Sequence, residues 1–108
     1  SLSSAASDVY KRQDVFNSGF VTDAFRMRVT ELPDAWQYKF YDNETGMELE
    51  EEGIHSLTPD IGSHQILTVR MEVFPPSERD AQDIGLVGLT ISSQGDSDLL
   101  TEVAFTVH

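Results

Sequence analysis

The sequence predicts an all-β domain, an immunoglobulin-like antiparallel β-sandwich of about seven strands. Three observations carry this. Apolar side chains recur with period two in five separate runs, the pattern of strands with one dry face and one wet face. Clusters of Gly, Pro, Asn, Asp and Ser separate those runs at sandwich spacing. No segment longer than a single turn carries the 3.6-residue period of a helix.

Taken in order, the expected strands are 9–16, 23–30, 36–41, 47–50, 64–73, 84–92 and 101–107. The first is the least regular, because Val9-Tyr10-Lys11-Arg12-Gln13-Asp14 is charged and poorly alternating. A weak first strand would leave an open sheet edge, and such an edge invites pairing with a second copy of the chain. In the second, Phe25, Met27 and Val29 alternate with Arg26, Arg28 and Thr30; in the third, Trp36, Tyr38 and Phe40 alternate with Gln37, Lys39 and Tyr41. The acidic stretch Glu48-Leu49-Glu50-Glu51-Glu52-Gly53 reads as a solvated connection with a short edge strand. Leu67, Val69, Met71 and Val73 form the cleanest alternation, followed by Val87, Leu89 and Ile91 and by Val103, Phe105 and Val107. Pro33, Pro75 and Pro76 fall at run ends, where no ladder N–H is lost. The one helical candidate is a single turn over Pro76–Ala81, capped by Ser77. The expected core is the seventeen-residue set Phe16, Phe25, Met27, Val29, Trp36, Tyr38, Phe40, Leu67, Val69, Met71, Val73, Val87, Leu89, Ile91, Val103, Phe105 and Val107.

The totals set bounds on function. With 108 residues the chain holds one domain, assigned to 9–108, behind a small polar linker or appended remnant at 1–8. Nineteen acidic residues against seven basic ones give a net charge of −12, which disfavours nucleic acid and anionic membrane surfaces as partners. Solubility is the plain reading of that acidity. There is no cysteine, hence no disulfide, thiolate nucleophile or Cys-based zinc site. No apolar run reaches the roughly 20 residues that span a bilayer, so direct membrane insertion is not expected. The opening Ser1-Leu2-Ser3-Ser4-Ala5-Ala6-Ser7 lacks the basic start and apolar centre of a signal peptide, which places any targeting signal outside this stretch.

Read together, Asn17-Ser18-Gly19, Leu32-Pro33-Asp34-Ala35-Trp36, Leu57-Thr58-Pro59-Asp60, the strand Leu67–Val73 and the closing Leu89-Thr90-Ile91-Ser92-Ser93 follow a known order. Over roughly Asp14 to Val107 the chain resembles the NPCBM-associated, alpha-galactosidase-type immunoglobulin-like domains of bacterial and archaeal surface proteins. It is also similar to the C-terminal immunoglobulin-like domain of FixG-type oxidase accessory proteins. The Leu-Pro-x-x-Trp corner is the most specific element, although the family usually places Gly where Ala35 stands. The resemblance implies a non-catalytic accessory module in a secreted, cell-surface or periplasmic protein, with that protein's other domains as its partners.

The candidate chemistry is sparse. Trp36 could serve as a sugar platform, but its place in an alternating run favours a core role. Phe20, Tyr41 and Phe74 fall at run ends or on wet faces and are the candidate ligand-contact aromatics. Asp42, Asn43 and Glu44 could offer oxygens to Ca²⁺, yet they lack the spacing of a calcium loop, and a charged hairpin explains them as well. Asn43-Glu44-Thr45 also matches the N-x-[ST] acceptor pattern, a triplet that arises often by chance. His55, His64 and His108 lack metal-ligand spacing, Ser92 and Ser93 lack a nucleophile elbow, and no phosphate-binding loop occurs. The expectation is no enzyme and no cofactor.

Overall fold

The computed structural model describes residues 9–76, 85–96 and 98–107; the helical turn expected over Pro76–Ala81 lies almost wholly outside them. The chain forms eight strands: β1 (Val9–Phe16), β2 (Phe25–Glu31), β3 (Gln37–Asp42), β4 (Glu50–Glu52), β5 (His55–Leu57), β6 (Ile66–Phe74), β7 (Gly85–Ser93) and β8 (Leu100–Val107). They make two antiparallel sheets, one of order β1-β6-β3 and one of order β4-β5-β2-β7-β8. The domain is an immunoglobulin-like sandwich, as its alternation predicts.

The core follows from parity. Leu67, Val69, Met71 and Val73 all face inward from β6, and Val87, Leu89 and Ile91 face inward from β7. Met27, Phe40, Trp36 and Val107, with Val15, Leu49 and Ile61, complete the cluster. Fully burying one such side chain contributes about 1.5–3 kcal/mol. Phe25, Val29, Val103 and Phe105 are only partly buried against this cluster.

Two expected core residues lie elsewhere. Phe16 is 50% exposed, because β1 registers Val15 on Leu67 and Phe16 on Ile66, which turns Val15 inward and Phe16 outward. A one-residue change of parity moves a side chain to the other face of a sheet. Tyr38 points inward opposite Val73 but sits on an edge strand, at the rim, with its ring edge-on to Phe40 at 5.6 Å.

The expected strand at 47–50 is also corrected. Met47 and Leu49 run alongside β3, with Asp42 N–H donating to Met47 O (2.8 Å) and Leu49 N–H to Phe40 O (2.9 Å). Leu49 is buried between the sheets, and the chain then crosses to the other sheet as β4, which pairs with the unforeseen β5. That crossing makes eight strands rather than seven.

At the Leu32–Trp36 corner, Trp36 N–H donates to Pro33 O (3.2 Å) and Ala35 adopts φ 66°. This is the geometry of a type II turn, whose third residue favours glycine. A left-handed conformation costs a non-glycine residue roughly 1–2 kcal/mol. Glycine removes that cost but adds freedom to the unfolded chain worth about 0.4–1 kcal/mol. Ala35→Gly is therefore expected to stabilise the domain by up to about 1 kcal/mol, measured by urea denaturation; a clear loss of stability would refute the strain assigned to this corner.

Candidate functional site

The register of β6 gives the sandwich two distinct ends. Phe16, Ile66, Phe25 and Ser93 lie at one, the loop end; Val9, Phe74, Gly85 and Val107 lie at the other. Three connections meet at the loop end: 17–24, 58–65 and 94–99.

Asn17 binds the first two together. Its backbone N–H donates to Gln65 O (3.0 Å), and its carbonyl accepts from His64 N–H (2.7 Å). Its side-chain amide donates to Val21 O and to Ile61 O (both 2.8 Å), and its Oδ1 accepts from Gly19 N–H (3.0 Å). The residue is buried, so these bonds form away from competing water. An adjacent bridge pairs Asp23 with Ile61 in both directions, at 3.0 and 2.7 Å.

Asp23 and Ser93 close the third connection. The Asp23 carboxylate accepts from Ala24 N–H (2.8 Å), Gly95 N–H (3.0 Å) and the Ser93 hydroxyl. Ser93 Oγ in turn accepts from Asp96 N–H (3.0 Å). These oxygens are committed to holding the chain's own backbone, so the Ser–Asp pair is a structural clasp.

The scaffold displays apolar surface. Phe20 is 91% exposed, Val21 72% and Ile66 61%, and Ile66 pairs across the strands with the outward-facing Phe16. His64, at φ 61°, places its ring edge-on to both Phe16 (6.3 Å) and Phe20 (5.9 Å). Ser63 Oγ donates to Gly19 O (2.6 Å) and lies 2.8 Å from His64 Nδ1, which ties the imidazole to the loop. Beside this patch, a cleft of about 480 Å³ opens between β1 and the start of β8, lined by Val15, Val21, Phe25, Ile91, Leu99 and Leu100 among others.

The sequence-predicted candidates do not converge. Phe20 lies in the patch. Tyr41 is half-buried on the outer face of the smaller sheet, where the Arg70 guanidinium sits 5.0 Å from its ring centre and covers it. Phe74 lies at the opposite end of β6, half-buried. Asp42 Oδ1 is occupied by Glu44 N–H (2.9 Å) and Thr45 N–H (3.4 Å), and Asn43 Oδ1 accepts from Arg12 Nε (3.4 Å). No group of three potential metal ligands occurs among the described residues. Trp36 is buried in the core, away from any platform role. Sequence reasoning placed Phe16 in the core and named neither His64 nor Ile66 as a site residue; the β1–β6 register brings them together.

Fold and loop end together define an immunoglobulin-like sandwich module. The chain is similar in fold to the solved N-terminal domain of PorA, with a TM-score of 0.54 and 13% identity over 93% of this chain and 77% of that one. It is also similar to a PapD-like domain of human CEP192 (PapD-like domain 7), with a TM-score of 0.49 and 13% identity over 94% and 70%. At such identity the likeness is one of fold. No family model matches the chain, and no curated protein matches it.

Asp23→Ala would strip an acceptor from two backbone N–H groups and one hydroxyl. It is expected to cost about 1–3 kcal/mol, the usual penalty for leaving such groups unsatisfied, and to speed hydrogen exchange at Gly95. Unchanged exchange at Gly95 would contradict the clasp.

Proposed function

We propose that this chain is a non-catalytic interaction module of a larger secreted or cell-surface protein, and that it presents its loop end to a polypeptide partner. The observation that carries this reading is the apolar patch of Phe16, Phe20, Val21 and Ile66 on an otherwise strongly acidic domain. A contiguous exposed apolar patch on a soluble fold commonly marks an interaction surface. The loops that display it are fastened by Asn17 and Asp23, so the surface is formed before binding and loses little entropy on contact.

The topology supports the same reading. The polypeptide enters β1 at Val9 and leaves β8 at Val107, both at the end away from the patch. Domains joined to the fold through those strand ends would sit at that far end and leave the patch open to a separate molecule. A second reading, carbohydrate recognition, is favoured by the nearly full exposure of the Phe20 ring.

A photo-crosslinking residue replacing Phe20 in the full parent protein, expressed in its own host, separates these readings. The expected outcome is a discrete polypeptide adduct that is absent when the same group replaces Glu51, exposed on β4 at another border of the domain. Equal background labelling at both positions, together with saturable binding to a panel of soluble glycans by calorimetry, would replace the first reading with the second.

A further inference from the structure

Among the described residues, four strands border the sheets: β1 and β3 on one, β4 and β8 on the other. An unpaired strand edge recruits other strands, and folded proteins usually blunt it by covering, shortening or charging it. Three of these borders are blunted. Along the second half of β3 the chain doubles back, with Met47 and Leu49 pairing with Asp42 and Phe40, and Lys39 charges the first half. β4 is only three residues long, all glutamate. β1 turns Lys11 toward the other sheet, with its ammonium 5.9 Å from the Phe105 ring centre, and carries Arg12 and Asp14 on its outer face.

β8 has none of these devices. Its eight residues, Leu-Thr-Glu-Val-Ala-Phe-Thr-Val, include one charge, no proline and no lysine. It pairs with β7 from Leu100 to Val107 without a bulge. Its inward-facing Val103 and Phe105 remain half-exposed.

Charge is distributed to match. The border formed by β1 and β8 carries Lys11 and Arg12 against Asp14 and Glu102, a balance of zero. The three glutamates of β4, Glu50–Glu52, lie at the opposite border of the same sheet, four strand spacings from β8. That is about 19 Å, since strands lie about 4.8 Å apart, and it exceeds the roughly 8 Å screening length of physiological salt. The net charge of −12 therefore opposes association elsewhere on the molecule more than it does here.

We propose that β8 is a homodimer surface, where a second copy adds its own β8 antiparallel and joins two five-stranded sheets into one of ten. The strand selects the register. Inward residues must meet inward residues, so a residue pairs with another of the same parity. With Ala104 opposite its own counterpart, each Val103 faces a Phe105 and each Glu102 faces a Thr106. This gives two aromatic–aliphatic cross-strand pairs and no opposed like charges, a combination that stabilises sheets. Centring on Glu102 would oppose two carboxylates. β1, where the sequence leads one to expect an open edge, is a border strand too, but Lys11 and its charged outer face blunt it, and β8 is the barer of the two.

Sedimentation equilibrium of the chain up to 1 mM in 0.15 M salt, with two substitutions at exposed Thr106, tests this. The wild-type chain is expected to dimerise. Thr106→Glu, which sets carboxylates opposite the partner's Glu102 at two symmetric places, should weaken the dimer roughly 2- to 30-fold, and Thr106→Lys should tighten it. Phe20→Ala should leave the constant unchanged. A strict monomer at 1 mM, equal effects of the two Thr106 substitutions, or loss of dimer on Phe20→Ala would overturn the assignment. None of these results bears on crosslinking at the loop end, a separate surface.

Discussion

The loop end depends on one buried side chain. Asn17 is the first residue after β1, and its carboxamide must satisfy Val21 and Ile61 carbonyls while its oxygen holds Gly19. Only an amide of this length supplies two donors and an acceptor at that position. Because Ile61 also bridges Asp23, and Asp23 clasps Gly95, the bond network passes from the first connection to the third. The exposed aromatic patch rests on this network, and flexible loops bearing the same residues would present no fixed surface.

The sandwich beneath is held by different physics. β6 and β7 bring rows of Leu, Val, Met and Ile face to face, and burial of those rows suffices to fix which side of each strand is inside. Polar selection then acts on the borders. Acidic residues crowd one lateral side, around Asp42–Glu52, while the β1–β8 side is balanced. The molecule has an apolar end, an acidic flank and a bare strand edge.

The central strands were legible in the sequence because both of their faces follow the rule of one dry row and one wet row. β1 was not legible in the same way. Its inward row contains Lys11 and Gln13, tolerable only because an edge strand lets a lysine stem lie over Phe105 while its charge stays near water. Phe16 was misassigned inward because irregular alternation left Val15 and Phe16 competing for the same face. Leu49, a lone apolar residue among glutamates, gave no periodic signal, and the three residues of β5 were too few to show one. Of the candidate site, Phe20 could be found as an aromatic stranded in a turn. Its neighbours Phe16, His64 and Ile66 meet it only through pairing between strands some fifty residues apart, which periodicity does not encode.

The most direct measurement of the account is site-resolved hydrogen exchange on Asn17→Ala. If Asn17 fastens a preformed loop end to an independently stable sandwich, the amides of Gly19, Asp23 and Ile61 should exchange much faster, while those of Val69, Met71 and Leu89 keep their protection relative to global stability. Uniform loss of protection across loops and core, or unchanged exchange at Asp23 and Ile61, would contradict it.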